Sequence, residues 1–293
     1  MPLIIGCSHG AHLAPKVARL LKQPYSGMRT RIFPDGELYA KFQATVKGKD
    51  IILVQSFYGS INDCLMEVIF AAHTARELGA KKITLLAPYF PYLRQDKRFH
   101  AGETVSIEAV ARLMDEALDE IIIMDPHLHR KDSLSEIFSI KAKKLTANDA
   151  IAGFIRKRVH NPAIVGPDWE SYKWAQKIGE QIGCEYHILH KKRWSSHQVR
   201  IYLKKGVDLR RKSVVIVDDI ISSGQTMLET IRQLKASGIT DITVICVHGI
   251  FAENALERIK KAGAKVYSCN TIPNPAEKID VSAILAEALS GWK

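Results

Sequence analysis

The sequence has few cysteines, and their pattern fits no structural use. Those present, Cys7, Cys64, Cys184, Cys246 and Cys269, are odd in number and widely spaced, and they contain no C-x-x-C pair. This spacing suggests neither a disulfide framework nor a zinc site. We therefore expect a protein of a reducing compartment, the cytoplasm.

Long apolar runs and low-complexity tracts are also missing. No segment reaches the roughly 18 apolar residues of a membrane helix, and the N-terminal MPLIIGCSHGAH has no basic n-region. We expect no contact with a membrane. The hydrophobic share of 46% and charged share of 25% are typical of globular proteins. A chain of 293 residues is long enough for two medium-sized domains.

Acidic residues are outnumbered, and the formal net charge is +11. A strongly basic protein favours an anionic partner, which includes nucleic acid, acidic membranes and phosphorylated metabolites. No recognised nucleic-acid-binding module is visible, and no basic stripe has interleaved aromatic residues. We therefore expect a phosphorylated small molecule and no nucleic acid.

Short runs rich in Ile and Val alternate with segments of helical spacing. The predicted strands are PLIIG, DIILVQSF, KKITLLAP, DEIIIMDP, NPAIVGPD, KSVVIVDD, DITVICVHG and AKVYSCNT. Strands buried on both faces and separated by helices indicate an α/β fold with mainly parallel sheets.

The two halves of the chain repeat this order. IILVQSF leads through a helix ending at Gly79 to ITLLAP, and VVIVDDI leads through one ending at Gly238 to ITVICVHG. Each glycine predicts a left-handed helix C-cap. We predict two similar domains, each a mainly parallel sheet flanked by helices, over residues 1–145 and 146–293. The features that all α/β folds share explain the similarity of the two halves almost as well as a duplication does. The final helix, VSAILAEALSGW, is expected to pack on the first domain or on a partner.

The stretch VDDIISSGQT ends an apolar strand with two acids and adds a polar loop before a helix predicted near Met227. Ligands of open parallel sheets bind beyond the carboxyl ends of strands. The loop and helix start can hold a phosphate, and the acids can hold vicinal sugar hydroxyls, with or without a cation. A sugar phosphate satisfies both halves. The alternative is an acid pair that only caps a helix.

This stretch resembles the phosphoribosyl pyrophosphate loop of the type I phosphoribosyltransferase fold. Further stretches in both halves are similar to ribose-phosphate pyrophosphokinase: RIFPDGELY, APYFPYLRQDKR, IIMDPHLH, ILHKKRW and HGIF. The resemblance implies an enzyme that transfers the β,γ-pyrophosphoryl group of ATP to the anomeric hydroxyl of ribose 5-phosphate. It implies that the sugar phosphate is bound by Asp218, Asp219, Ser222, Ser223, Gly224, Gln225 and Thr226.

The ATP side of the expected site lies in the first half. The turn in FPDGELY can stack a purine and accept hydrogen bonds from its amine, or it is a surface hairpin with a buried Phe. The resemblance assigns adenine recognition to this turn, usually in a neighbouring subunit's site, and so implies an even-numbered homo-oligomer. LRQDKR supplies phosphate-binding groups, unless it is a solvated charge run. The residues expected to bind ATP are Phe33, Asp35, Gly36, Glu37, Arg94 and Gln95.

The expected metal is Mg²⁺, brought with ATP. Paired histidines in MDPHLH allow zinc, but no further nitrogen or sulfur ligands are close in sequence, and magnesium prefers oxygen and water. The resemblance supports Asp125 and His127, and Asp168 in AIVGPDW is expected to bind a second ion or the ribose hydroxyls. The resemblance names Lys191 and Arg193 as the catalytic pair, before a flap in WSSHQVR. By itself KKR indicates a solvated face.

Several positions depart from the usual family pattern. Ser222 replaces a common acid, Gln225 replaces a glycine that often needs positive φ, Pro126 follows Asp125, and bulky Trp169-Glu170 follows Asp168. Two other functions stay open at this point: a phosphoribosyltransferase that consumes phosphoribosyl pyrophosphate, and a non-catalytic regulatory paralogue. The paralogue should have lost the catalytic lysine and the acid pair, which this sequence retains.

Overall fold

Alternating strands and helices build two α/β units in the computed structural model of the chain. The structure describes residues 1–98, 100–128, 130–131, 133–169, 171–193, 199–202 and 207–290, and within 190–193 and 199–202 it describes the backbone. Unit 1 comprises Met1–Thr146 with the C-terminal residues from Ser282, and unit 2 comprises Ala147–Val281.

The helices are α1 (Ala14–Leu21), α2 (Ile61–Glu77), α3 (Ser106–Ala117), α4 (Asn148–Arg158), α5 (Tyr172–Ile182), α6 (Gln225–Ala236), α7 (Ala255–Lys261) and α8 (Ser282–Ser290). The strands of unit 1 are β1 (Leu3–Gly6), β2 (Tyr25–Ile32), β3 (Leu38–Phe42), β4 (Asp50–Val54), β5 (Lys82–Ala87), β6 (Glu120–Met124) and β7 (Lys141–Leu145). The strands of unit 2 are β8 (Pro162–Gly166), β9 (Tyr186–Ile188), β10 (His190–Arg193), β11 (Val199–Tyr202), β12 (Ser213–Ile221), β13 (Ile242–Gly249), β14 (Lys265–Cys269) and β15 (Glu277–Ile279).

In unit 1 the described strands form one sheet in the order β3-β2-β1-β4-β5-β6-β7. Every neighbouring pair is parallel except β2–β3, which is an antiparallel hairpin. The inner strands β1 and β6 are buried along their whole length, as expected for strands covered on both faces. The last helix, α8, belongs to this unit, where Lys143 Nζ donates to the Ala288 carbonyl at 3.1 Å.

In unit 2 the main sheet has the order β15-β14-β13-β12-β8-β9, and all its pairs are parallel. Its core joins the central strands to α6 and α7 through residues such as Val214, Ile216, Val244, Ile231 and Ile259. The strands β10 and β11 form a separate antiparallel ribbon. The predicted α/β class with mainly parallel sheets is thus confirmed.

The apolar runs predicted as strands are all strands, and the glycines at helix ends behave as expected. Gly79 and Gly238 both have φ 83°, and each lies one residue after the C-cap of its helix, which is Leu78 for α2 and Ser237 for α6. The apolar-run criterion does not include β2 and β3, because YSGMRTRI is largely polar and only partly buried; the hairpin is expected only as an alternative for the FPDGELY turn. The helix expected near Met227 begins two residues earlier, at Gln225.

All five cysteines are free thiols, and four of them are buried. Burial, followed by the charges of Glu67 and Asp63, raises the pKa of Cys64 to about 12. A thiol with such a pKa is protonated at neutral pH and acts as a small core side chain. Among the described helices, none combines the length and apolarity that crossing a membrane would require.

A close backbone approach at Gly10 provides a test of unit 1. A Cβ at this position would lie 1.8 Å from the Val54 carbonyl oxygen. We expect Gly10→Ala to lower the free energy of unfolding by about 3 kcal/mol or more, because the new Cβ would force the backbone at Val54 or at position 10 to move. The measurement is urea unfolding of the full chain.

Gly153→Ala is the matched control, because Gly153 lies inside α4 and a Cβ there meets nothing within 4 Å. The control should be stabilised by about 0.5–1 kcal/mol through helix propensity. If the two substitutions had equal effects, the close approach at Gly10 would be wrong.

Candidate active site

The two acids of VDDIISSGQT lie at the switch point of the unit 2 sheet. From β8 the chain passes to β9 on one side, and β12 pairs with β8 on the other side. The crevice beyond the carboxyl ends of such strands is where open α/β sheets bind ligands. Asp218 and Asp219 lie near the end of β12, and Asp168 lies just beyond β8.

A buried serine joins the acids of the two strands. Ser171 Oγ lies 3.0 Å from Asp168 Oδ1 and 2.9 Å from Asp218 Oδ1. The Ser171 N–H also donates to Asp168 Oδ1, at 3.0 Å. Asp218 Oδ1 in addition accepts the Asp219 N–H at 3.1 Å, and Asp219 Oδ1 accepts the Ile220 N–H at 2.7 Å. The structure thus brings three predicted site residues together at one sheet edge.

This arrangement makes Asp218 hard to ionise. Burial raises the pKa of Asp218 well above its usual range, and the negative charges of Asp219 and Asp168 raise it further. The hydrogen bonds from Ser171 and the Asp219 N–H act in the opposite direction but do not offset this. A cation, or donors such as sugar hydroxyls, would relieve the repulsion.

The polar loop after β12 turns into the N-terminus of α6. Gly224 is the N-cap residue of α6 with φ 73°, and Gln225 is the first helical residue. The positive φ therefore falls on Gly224, and the expected backbone strain at Gln225 does not occur. The N–H groups at a helix start have no intrahelical acceptor, so this loop is suited to a phosphate.

Helix α7 packs against the loop that precedes α6. A Cβ at Gly224 would lie 3.1 Å from Ala255 Cβ and 3.2 Å from Ile259 Cδ1. Arg258 Nη1 donates to the Ser223 carbonyl at 3.4 Å. Both contacts hold the loop in place, and Arg258 adds a positive charge beside it.

Trp169 does not fill the space between the acids. Its indole stacks on Tyr172 with ring centroids 5.4 Å apart, and the residue is 72% exposed. The bulky side chain is therefore accommodated outside the buried Ser171 contacts. Glu170, the other large residue of this departure, lies outside the described residues.

In unit 1 the predicted phosphate-binding loop follows β5, next to the loop that follows β6. The two loops are tied by an ion pair between Asp96, whose side chain is 3% exposed, and Arg130, at 2.5 Å. Gln95 Oε1 accepts from Ser106 Oγ at the start of α3, at 3.1 Å, and Arg94 is exposed. Because β5 and β6 are parallel neighbours, both loops leave the same edge of the sheet.

The predicted metal residues lie in both units. In unit 1, Asp125 is 1% exposed with φ 34°, and His127 is half-buried; in unit 2, Asp168 belongs to the Ser171 cluster. His129 is not among the described residues. Within the described ranges, no three or more Asp, Glu, His or Cys side chains form a group that could hold a metal ion. The side-chain atoms at the Ser171 cluster that could bind a metal ion are all oxygens. Oxygen ligands suit a hard cation such as magnesium, which keeps water molecules and substrate phosphates as its other ligands.

The predicted adenine-binding turn is the tip of the β2–β3 hairpin. Phe33 N donates to the Glu37 carbonyl at 2.8 Å, and Asp35 Oδ1 accepts the Glu37 N–H at 3.2 Å. Phe33 is half-buried, and the Arg31 guanidinium lies 4.8 Å from its ring centroid. Two strands, β1 and β4, separate β2 from β5, which is roughly 14 Å at standard strand spacing. The hairpin and the Arg94 loop of one chain are thus well apart in the sheet.

The predicted catalytic pair is in β10. The backbone at Lys191 and Arg193 pairs with Ile201 and Val199 of β11. The side chains of both residues lie outside what the structure describes, as does the segment 194–198 of the expected flap.

Comparisons with known proteins match both halves of the chain. Residues 2–117 match the family model of the N-terminal domain of ribose phosphate pyrophosphokinase, and residues 133–284 match that of the phosphoribosyl transferase domain. The ribose-phosphate pyrophosphokinase of Methanothermobacter thermautotrophicus is 36% identical over 98% of this chain and 99% of its own length. That of Pyrococcus furiosus is 35% identical over 95% of this chain and 97% of its own.

The chain belongs to the ribose-phosphate pyrophosphokinase family. The crystal structure of phosphoribosylpyrophosphate synthetase from Mycobacterium smegmatis has a similar fold, with a TM-score of 0.87, 26% identity, and coverage of 99% of this chain and 98% of that one. Membership confirms the family predicted from the motifs and makes the protein an enzyme, a transferase. A lone phosphoribosyltransferase domain would leave the first half unexplained.

Sequence reasoning missed three residues that this pyrophosphokinase family member uses to hold its candidate site: Ser171, Arg258 and Asp96. For Ser171 a signal existed, because serine is a preferred N-cap residue and Ser171 directly precedes the helix that begins at Tyr172. Arg258 lies 35 residues from its partner Ser223, and nothing local indicates the contact. Asp96 was hidden within a basic run.

The raised pKa of Asp218 provides a second test. A carboxyl whose folded pKa is raised stabilises the protein at low pH, and this contribution is lost as pH rises through the folded pKa. Asp218→Asn should therefore raise the free energy of unfolding of ligand-free protein at pH 7, because the neutral amide has no charge to bury beside Asp219 and Asp168. The gain should vanish below about pH 4, where the unfolded carboxyl is also protonated. Urea unfolding between these pH values measures it.

Asp241→Asn is the matched control with the opposite sign. Hydrogen bonds from Ser213 and Lys265 lower the pKa of Asp241, so its carboxylate stabilises the fold above the unfolded pKa and less so as pH falls. The control should be destabilised at pH 7. A shift of both variants in the same direction would contradict the assigned cause.

Proposed function

We propose that the protein transfers the β,γ-pyrophosphoryl group of ATP to the anomeric hydroxyl of ribose 5-phosphate, giving phosphoribosyl pyrophosphate and AMP. The observation that carries the proposal is that Asp168 and Asp218 meet at Ser171, one loop before the N-terminus of α6. The acids suit sugar hydroxyls, and the start of α6 suits a phosphate. Because one short loop separates them, a single sugar phosphate could occupy both.

The sugar phosphate is bound by unit 2 in this proposal. The 5-phosphate accepts hydrogen bonds from Ser222, Ser223, Thr226 and the N–H groups of 224–226 at the α6 N-terminus. Asp218 and Asp219 accept hydrogen bonds from the ribose hydroxyls. The substrate hydroxyls then supply donors that the crowded carboxylates need, which supports this orientation over its reverse.

The nucleotide is bound through unit 1. Arg94 and Gln95 bind the ATP phosphates, and the turn with Phe33, Asp35, Gly36 and Glu37 binds adenine. The separation of this turn from the Arg94 loop within one sheet supports a turn that serves the site of a neighbouring subunit. We infer a homo-oligomer on this ground, and the family resemblance implies an even number of subunits. The five free cysteines support a reducing, cytoplasmic location.

Magnesium is the proposed cation: Asp125 and His127 of unit 1 would hold one ion, and Asp168 of unit 2 would bind a second ion or the ribose hydroxyls. When bound with ATP, it would neutralise phosphate charge that develops during transfer. The acceptor hydroxyl oxygen forms a bond to the β-phosphorus, the bond from that phosphorus to the α,β-bridging oxygen breaks, and the hydroxyl proton is released. Lys191 and Arg193 stabilise the negative charge that moves toward the bridging oxygen.

The direct test is to incubate purified protein with ribose 5-phosphate, ATP and Mg²⁺ and to quantify AMP and phosphoribosyl pyrophosphate together. Equal amounts of both are expected, because each transfer releases one AMP. Formation of neither product would overturn the proposal and favour the regulatory paralogue. Consumption of added phosphoribosyl pyrophosphate with a nucleobase would favour the phosphoribosyltransferase.

Lys191→Ala tests the catalytic pair. We expect kcat to fall by at least ~100-fold with little change in the ribose 5-phosphate KM, because the lost charge acts in the transition state. Lys192→Ala is the matched control: in an extended strand, positions 191 and 193 belong to one face and position 192 to the other. An unchanged kcat in Lys191→Ala, or an equal loss in the control, would remove Lys191 from this role.

A further inference from the structure

Ser171 stands at a helix start but does not serve the helix in the usual way. It is the N-cap residue of α5, a position at which a serine hydroxyl commonly accepts a hydrogen bond from an N–H of the first turn. Its side chain makes no such hydrogen bond. The hydroxyl instead lies within hydrogen-bond distance of the Asp168 and Asp218 carboxylates.

The position of Ser171 is strongly constrained. The residue is 1% exposed, and its N–H donates to Asp168 Oδ1 at 3.0 Å. It packs on the end of β8 so closely that a Cβ at Gly166 would lie 3.2 Å from the Ser171 carbonyl oxygen. The hydroxyl thus sits at a fixed point between β8 and β12.

The chemistry of the hydroxyl explains why that point matters. A serine hydroxyl has one hydrogen to donate, so it serves one of the two carboxylates at a time. Without the hydroxyl, the hydrogen-bonded bridge between the Asp168 and Asp218 side chains would be lost, and their separation would no longer be fixed at this point. A group that holds binding side chains in place before the ligand arrives lowers the cost of binding.

We propose that Ser171 is a positioning residue, whose hydroxyl and N–H hold Asp168 and Asp218 in the arrangement that binds ribose 5-phosphate. This inference rests on the proposed function, and it assigns a role in sugar affinity to a residue outside the motifs. Ser171 does not touch the reacting atoms. Its effect on the substrate passes through the two carboxylates.

The test compares Ser171→Ala with Ser213→Ala. Ser213 Oγ donates to Asp241 Oδ2 at 2.6 Å, so the control also removes a serine–aspartate hydrogen bond on β12, but at its amino end. Because glycine is tolerated at N-cap positions, Ser171→Gly serves as a second hydroxyl-free variant if Ser171→Ala does not fold. Thermal unfolding of each variant establishes that it is folded.

Two measurements separate positioning from a general structural role. Steady-state kinetics give the KM values for ribose 5-phosphate and ATP, and calorimetry with ribose 5-phosphate alone gives its Kd without turnover. We expect the ribose 5-phosphate KM and Kd to rise roughly tenfold in the Ser171 variants, the cost of losing one hydrogen bond to a charged group. The ATP KM should stay essentially unchanged, and Ser213→Ala should match the wild type.

The remaining outcomes each overturn something definite. Wild-type ribose 5-phosphate constants in the Ser171 variants would overturn the inference and leave the proposed function intact. An equal rise in both KM values with reduced thermal stability would also overturn it, since Ser171 would then be structural only. Wild-type protein that neither turns over nor binds ribose 5-phosphate would overturn the proposed function, and the inference with it.

Discussion

The parallel pairing of β8 with β12 is the constraint on which the candidate site depends. Pairing in register from Pro162 and Ser213 to Val165 and Ile216 brings the carboxyl ends of both strands to one edge of the sheet. Asp168 and Asp218 are 50 residues apart in sequence. They meet at this edge because the register of the strand pairing fixes the position of each residue along its strand. The N-terminus of α6 follows the same strand, so a helix start that is suited to a phosphate comes one loop after the acids.

This assembly has an energetic cost that the rest of unit 2 must cover. Crowded, partly buried carboxylates oppose folding, as the raised pKa of Asp218 indicates. The cost is offset by a core in which the central strands pack against α6 and α7. Stored repulsion of this kind is common where a protein prepares a binding site before the ligand is present. Binding of a cation, or of a sugar whose hydroxyls donate hydrogen bonds, would relieve this repulsion.

In unit 1, the loop that follows β5 is held in place by a charged contact. This basic loop is positioned by an ion pair between the buried Asp96 side chain and the exposed Arg130 guanidinium, which ties two loops from neighbouring strands together. A pair with one exposed partner adds little to stability by itself, so its contribution here is to fix the position of the loops. The exposed Arg94 beside this anchor remains available to an anionic ligand. Thus acids lie at the carboxyl ends of β8 and β12 in unit 2, and basic residues lie in the loop after β5 in unit 1.

Much of this protein was determined by local sequence alone. Apolar runs of five to nine residues with helices between them predict buried parallel strands, and strand-end acids followed by a polar loop predict a sugar-phosphate site. These signals are local because periodicity, turn glycines and helix starts depend on neighbours in the chain. The strands β2 and β3 are too polar for an apolar-run criterion, so the hairpin followed only from its turn residues and stayed an alternative.

Tertiary structure decided which residues support the site. VDDIISSGQT does not indicate that Asp218 rather than Asp219 is hydrogen-bonded to Ser171, nor that Arg258 contacts the Ser223 carbonyl. It also does not indicate that the left-handed residue is Gly224, leaving Gln225 unstrained in the helix. Such contacts depend on strand register and on the faces that side chains take in the folded sheet. Both follow from packing over long sequence separations, which no local pattern encodes.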